Sequence, residues 1–394
     1  MKQHYDIGIL GAGPIGGYLA AELSKKHDSI VLFEQHQNIG IPMNCAGLIT
    51  PRVFENFSIP KQNIIQNEIL GANIHSPSGY TLSIGGDKTH AISINRTTFD
   101  KYLVETAKKR NTELYLGEKI VSIQTENDIV ELGTASGKKT ECSILIGADG
   151  PFSKVRDLCG FPQPKEYLRG MGAIVDNMSL DPGFVEIFVG ERIAPGFFAW
   201  MIPITRDGTM ARIGLCIPKE IKISPHYYFR NMFKRFPLAP YLKKAKIIEK
   251  TGGIIPLGPL SQTVKYNILL VGDAAAQVKP TSGGGIYTGL VSANHCVSVI
   301  NESKRSNGFS LDVLQEYDRA WRKDIGRELY MGMQFRKIYE KLTDVDFDKY
   351  IQKFNTASII NTITEKGDID FPSTLLTPLL KKTPSLLRLL PKII

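Results

Sequence analysis

No apolar run in this 394-residue chain approaches the ~20 residues that a membrane-spanning helix needs. Cysteine is scarce, and Cys45, Cys142, Cys159, Cys216 and Cys296 are scattered with no C-x-x-C pair. That spacing argues against a zinc site and against a disulfide framework, and no metal site is expected. It also excludes an iron–sulfur centre, which needs about four clustered thiolates. No secretory leader is expected, because Met1–Tyr5 lead straight into a strand-like run. A reducing cytoplasm is therefore the expected location. Acidic residues vanish after Asp370. The chain as a whole is basic, net +9. A basic balance suits an anionic membrane face or an acidic partner, and equally simple solubility; no nucleic-acid partner is expected.

What the chain does have is glycine in particular places. Gly11-Ala12-Gly13-Pro14-Ile15-Gly16 follows the short apolar run Asp6–Leu10 and precedes apolar residues at helical spacing. Strand, glycine turn, helix is the setting in which G-x-G-x-x-G binds a dinucleotide. Gly11 permits the tight turn, Gly13 lets a pyrophosphate approach the main chain, and Gly16 lets helix and strand pack closely. The helix start adds free N–H groups and partial positive charge. A second apolar run, Ile30–Phe33, ends at Glu34, where a carboxylate accepts from ribose hydroxyls.

The loop Gly40–Leu48 contains Pro42, Cys45, Ala46 and Gly47 and is not helical. Lying past a strand end, it points Cys45 towards the cofactor or its substrate, unless Cys45 is simply a small buried hydrophobe. Alternating segments from Asn67 to Ile94 read as antiparallel strands. Asn95 or Thr97 caps a helix reaching Ala107, and Arg96 near its start is placed to meet phosphate or solvent. A strand, Glu113–Leu116, and a hairpin, Lys119–Thr125 with Ile129–Leu132, follow. Ser143–Gly147 is a buried strand ending on Asp149-Gly150, and Asp149 either holds a ribose or structures the turn while Ser153 caps the next helix.

From Leu168 to about Ile255 the pattern is strand-like again. Phe198-x-Trp200-x-Ile202 puts three large side chains on one face of a strand, as the wall of a substrate pocket or as plain core. Asn267–Val271 is a further buried strand, ending at Gly272-Asp273. Then come Gly283-Gly284-Gly285-Ile286 and a helix from Tyr287 to about Ile300. Asp273 is placed to accept from a ribityl hydroxyl, and the glycines admit an aromatic ring system at a helix's positive end. The last quarter is mostly helical. Its Leu/Lys-rich end, Phe371–Ile394, suits an anionic membrane surface or a short helix capping the core. The fold expected is α/β. A Rossmann-type domain (1–66, 91–165 and 256–305) carries an inserted antiparallel β-sheet substrate domain (67–90 and 166–255) and a C-terminal helical region (306–394).

Three segments together, Gly11–Glu34, Gly147–Arg156 and Gly272–Ile286, resemble the FAD signatures of the p-hydroxybenzoate hydroxylase-type flavoproteins. Within that superfamily, Pro42-x-x-Cys45-x-Gly47 and the segment Phe198, Trp200, Pro203 are similar to the geranylgeranyl reductases. That family usually has tyrosine where this chain has Phe198, and G-x-G where it has Gly214-Leu215-Cys216. The resemblance implies FAD contacts at Gly16, Glu34, Cys45, Ala46, Arg96, Asp273, Gly284, Gly285 and Ile286, with a backbone contact to adenine near Ile120. It implies a long apolar tunnel and reduction of isoprenoid chains of membrane lipids. An isolated alkene needs hydride from flavin N5 at one carbon and a proton at the other, within an apolar, aromatic-lined site. Cys45 is the candidate proton donor or gate. With no second G-x-G-x-x-G for NADPH, a reduced ferredoxin is the other expected electron source, and a basic surface suits it. Rival expectations are an aromatic monooxygenase or halogenase of the same superfamily, a quinone oxidoreductase, and a non-catalytic flavin-bearing lipid carrier.

Overall fold

A computed structural model describes residues 3–305 and 308–383. Five strands run parallel in the spatial order Ile268–Leu270, Lys139–Gly147, Gln3–Leu10, Ile30–Glu34 and Glu113–Leu116. Their side chains alternate between two cores, as a pleat with period two requires. Ile7, Ile9, Ile30, Leu32, Ile144 and Ile146 join one core. Tyr5, Val31, Phe33, Cys142 and Leu145 join the other. Helices Pro14–Leu23, Arg96–Lys108 and Ile286–Arg305 cover the first face. Helix Arg96–Lys108 is capped by Asn95, whose side chain accepts from the Thr98 N–H. The hairpin Ile120–Glu126 and Ile129–Thr134 extends the sheet antiparallel off Lys139–Gly147.

A seven-stranded sheet forms the second layer, in the order Lys246–Leu257, Glu166–Asp176, Ala211–Pro218, Phe198–Pro203, Phe184–Val189, Gly71–His75 and Thr81–Gly85. Its pairings are antiparallel except that between Phe184–Val189 and Gly71–His75, which is parallel. One face packs Ala199, Met201 and Phe188 against Phe229, Met232 and Leu242 of the short helices Pro225–Met232 and Ala239–Leu242. The other face presents Phe198 and Trp200 towards the first layer. The expected boundary at residues 66/67 falls inside the strand Ile65–Ile69. That strand pairs with Ala91–Ile94 in a separate three-stranded sheet, completed by Leu48–Ile49. An alternating pattern names the strand but not its neighbour, so the switch between sheets at Leu70 is invisible in the sequence.

The C-terminal helices Leu311–Trp321, Arg327–Tyr339, Asp344–Phe354, Ala357–Lys366 and Leu376–Lys382 wrap both layers. Trp321 is fully buried and donates to Thr263 Oγ1 at 3.1 Å. Of the Leu/Lys-rich end, the Pro372–Leu375 turn and the helix Leu376–Lys382 are described; residues 384–394 lie outside the described residues. Arg336 ties the helices to the second layer. It is 3% exposed, donates from Nε to Glu166 Oε2 at 2.6 Å and from Nη1 to the Gly196 carbonyl at 2.9 Å, and pairs with Glu340 at 2.7 Å. Burial pushes the Glu340 carboxyl up to about 7 against the pull of Arg336, with Glu166 adding to the rise. Arg336→Ala strands two carboxylates and is expected to cost about 3 kcal/mol. Urea unfolding checks it, and the double variant Arg336→Met/Glu166→Leu should recover most of the loss.

Candidate functional site

In open α/β sheets, ligands bind beyond the carboxyl ends of the strands. Here those ends are Leu10, Glu34, Gly147 and Leu270, and the residues that follow them are the ones the sequence singles out. Gly11 has φ +95°, and a Cβ there would lie 2.4 Å from the Ala148 carbonyl oxygen. A Cβ on Gly16 would lie 1.7 Å from the Gly11 oxygen, whereas one on Gly13 would meet nothing within 4 Å. The turn is thus closed on its inner side and open in front of the helix N-terminus, where Pro14 occupies the first turn. Glu34 accepts the Ala12 N–H at 2.9 Å and pairs through its other oxygen with His36 at 2.7 Å. Ile120 begins its strand with its side chain buried in the core that holds Phe33. The adjoining Glu118 N–H donates to the Glu34 carbonyl at 2.9 Å, so this backbone borders the Glu34 end of the sheet.

Asp149 structures the turn: its Oδ2 accepts from the Lys154 and Val155 N–H groups at 2.6 and 3.1 Å. Its Oδ1 is buried with no partner, and burial raises the carboxyl above its ordinary range despite the Ser153 hydroxyl. A buried carboxylate oxygen facing no donor is a vacancy that a hydroxyl-bearing ligand fills. On the opposite strand end, a Cβ on Gly285 would lie 2.7 Å from Asp273 Oδ1, so Asp273 and the glycine loop form one cradle. Ile286 opens the 20-residue helix behind it. Gly284 sits over the Lys279 side chain, which is buried and paired with Asp370 at 2.6 Å. Asp370 also accepts from Thr50 at 2.5 Å, linking the glycine loop, the segment after Cys45 and the C-terminal region.

Burial pushes the Asp273 carboxyl up to about 6, offset in part by Arg96. A folded-state value above the unfolded one means the folded chain holds this proton more tightly. The contribution to stability is complete below pH ~4 and is lost as pH rises to about 6, on the order of 3 kcal/mol. Asp273→Asn apoprotein is expected to lack that slope in thermal melts across pH 4–6, and to bind FAD more weakly.

Cys45 packs partly against the apolar core of the first layer and also has a charged neighbour. Arg96 forms a bidentate pair with Asp100, at 3.3 and 3.0 Å, and also meets the Cys45 sulfur. Burial disfavours the charge on Arg96, but Asp100 and Cys45 outweigh it and hold its pKa above the usual arginine value. Arg212 is the buried charged residue at this loop that sequence reasoning missed. It is 5% exposed, donates to the Ala46 carbonyl at 3.2 Å and to Gln66 Oε1 at 2.6 Å, and leaves Nε without a partner. Burial lowers its pKa; Cys45 acts in the opposite sense, and Arg96 adds a smaller lowering. A Cβ on Gly47 would lie 2.6 Å from Arg212 Nη1, so only glycine lets the turn rest on the guanidinium. The local pattern of Ala211–Pro218 reads only as a strand, and its burial at every position is a property of the fold.

Trp200 joins the two sides of the site. It packs with Ala46 and Leu48 in one apolar cluster and with Phe198, Phe197 and Val278 in another. Phe197 and Phe198 stack at 4.2 Å, and Phe198 meets Trp200 edge-on at 6.1 Å. Phe198 lines a cavity of about 130 Å³ with Phe197, Pro280, Thr281, Phe335, Arg336 and Tyr339. The aromatic strand, the glycine loop and the C-terminal helix Arg327–Tyr339 therefore share one pocket.

A glycine-cradled dinucleotide site beside an aromatic pocket defines a flavoprotein oxidoreductase, and residues 4–319 match the FAD binding domain family. The chain belongs to that family and, within it, to the FAD-dependent geranylgeranyl reductases. It is 31% identical to the digeranylgeranylglycerophospholipid reductase of Methanocaldococcus jannaschii, over 88% of this chain and 90% of that one. It is also 31% identical to an uncharacterized protein of the same organism, over 96% of each. Among solved structures it is similar to a geranylgeranyl bacteriochlorophyll reductase-like protein from Thermoplasma acidophilum, with TM-score 0.87, 21% identity and 100% of both chains covered.

Proposed function

We propose that this protein saturates isolated C=C bonds of geranylgeranyl chains on membrane-lipid precursors. Bound FAD supplies hydride to one alkene carbon, replenished by a reduced ferredoxin or NAD(P)H. The chain's residues do the rest. Gly11, Gly13 and Gly16 admit the pyrophosphate, Glu34, Asp149 and Asp273 accept from hydroxyls, and Gly284, Gly285 and Ile286 border the ring. Phe198 and Trp200 form the wall that aligns the isoprene unit and excludes water. Cys45 gives its thiol proton to the second carbon, and Arg96 and Arg212 stabilise the negative charge left on sulfur. Solvent then returns the proton. The seven-stranded sheet and the C-terminal helices make up the substrate side.

The observation that carries this reading is Cys45 beside Arg96, in a loop whose next residue, Ala46, packs with Trp200 and accepts from the buried Arg212. Mass analysis of a geranylgeranyl lipid after anaerobic incubation with reduced holoenzyme tests it. The lipid is expected to gain one pair of hydrogens for each bond reduced. Unchanged lipid, together with NADPH oxidation that depends on a phenol and oxygen, would assign the protein to aromatic hydroxylation instead.

A further inference from the structure

The positive charge of this protein is concentrated in one place. Residues 219–250 carry nine Lys or Arg and two Glu, so that segment holds +7 of the chain's net +9. It contains the short helices Pro225–Met232 and Ala239–Leu242, whose inner sides pack on the seven-stranded sheet. The outer side is unusual for a solvated surface. Phe236 is 63% exposed, and Ile223 and Tyr227 are each nearly half exposed among Lys222, Arg230, Lys234, Lys243 and Lys244. Lys246 and Lys250 lie on an edge strand, where lysine deters strand addition, and they need no other explanation. The helix-turn is different, because no edge needs protecting there.

The patch continues onto other elements. Arg235 donates to the Tyr227 hydroxyl at 3.5 Å and to the Arg192 carbonyl at 3.4 Å. Arg235 and Phe236 line a groove of about 780 Å³ with Arg192, Ile193 and Val345, the last 74% exposed. Two acids also line it, but both are engaged: Asp344 accepts from the Glu191 N–H and Asp348 from the Ser78 N–H and hydroxyl. The chain runs from Ile193 in this groove to Phe197 and Phe198 in the aromatic pocket beside the glycine loop through two consecutive turns.

We propose that this surface, the helix-turn Ile223–Lys244 with Arg192 and Val345, docks the protein peripherally on an anionic lipid bilayer. Phe236, Ile223, Tyr227 and Val345 enter the headgroup region, and the lysines and arginines around them meet lipid phosphates. An acidic electron-carrier protein would match the charge but not the exposed apolar side chains. The choice of a bilayer rests on the lipid-substrate reading above, because a hydrophobic substrate then passes from membrane to pocket without crossing water.

Sedimentation of full-length holoprotein with vesicles tests the proposal. Binding is expected to phosphatidylcholine vesicles doped with phosphatidylglycerol, and to be weak on phosphatidylcholine alone. Lys234→Glu/Lys243→Glu/Lys244→Glu should weaken binding at least about tenfold, and Phe236→Ser about fivefold. A variant ending at Thr383 should bind as the full chain does. All of these should retain FAD absorbance and turn over a detergent-dispersed substrate normally, which separates failure of docking from failure of the reductase reading. Unchanged vesicle binding in the triple variant would overturn the proposal. So would loss of binding in the triple variant with none in Phe236→Ser, which would mark an electrostatic protein-docking face, or loss on truncation at Thr383.

Discussion

Cys45→Ala is expected to retain bound FAD and to lose alkene reduction by about 10²–10⁴-fold, the usual contribution of a positioned general acid. The reasoning is geometric. The Cys45 turn rests on Arg212, which donates to Ala46 and leaves one buried nitrogen unpaired, and Arg96 meets the sulfur. Among the described residues, Asp100 is the acidic ion-pair partner of Arg96. Arg96 beside the thiol is placed to stabilise the charge left when the proton is given up, and Arg212 holds the adjoining backbone. Cys45→Ser, which replaces the thiol with a hydroxyl, a poorer acid, should fall between wild type and Cys45→Ala. Single-turnover reduction of a geranylgeranyl lipid, with the flavin spectrum recorded beforehand, measures both halves. Full turnover in Cys45→Ala would remove the thiol from the chemistry.

Gly16→Ala is expected to yield protein that carries no FAD. A methyl group at Gly16 would lie 1.7 Å from the Gly11 oxygen, and Gly11 cannot retreat because its own backbone already abuts Ala148. The turn must open, and the phosphate cradle opens with it. Gly13→Ala makes the sharper comparison. Its methyl group meets nothing in the protein, so the apoprotein should melt as wild type does, yet the methyl occupies the space through which the pyrophosphate reaches the main chain. Equilibrium dialysis of both apoproteins with FAD decides. Wild-type affinity in Gly13→Ala would mean that the phosphates lie elsewhere.

The dinucleotide layer was legible because its information is local. Gly11 to Glu34 form one strand–turn–helix–strand unit, and each residue's role depends on neighbours a few positions away. The strands that end at Gly147 and Leu270 were equally readable, since a strand buried on both faces is a short apolar run bounded by turn residues. The same holds for Phe198 and Trp200, which share a face by period two alone, and the structure places them so.

What surrounds Cys45 was not legible. Arg212 lies 166 residues from Ala46 in sequence and reaches it only because one strand of the second layer crosses beneath the loop. Nothing in the local pattern of Ala211–Pro218 says which loop will lie over it. Lys279 and Asp370 illustrate the same limit across 91 residues. The expected boundary at 66/67 cuts the strand Ile65–Ile69 for a related reason, because alternation specifies a strand but not its partner. Tertiary pairing over long separations therefore decided the electrostatics of the site, while the cofactor cradle was set by contiguous sequence.

Anaerobic mixing of flavin-reduced protein with a geranylgeranyl lipid tests the central claim most directly. Flavin absorbance is expected to return without oxygen, in step with loss of lipid double bonds, and Cys45→Ala to slow both alike. A flavin that stays reduced until oxygen is admitted, whatever lipid is present, would contradict it.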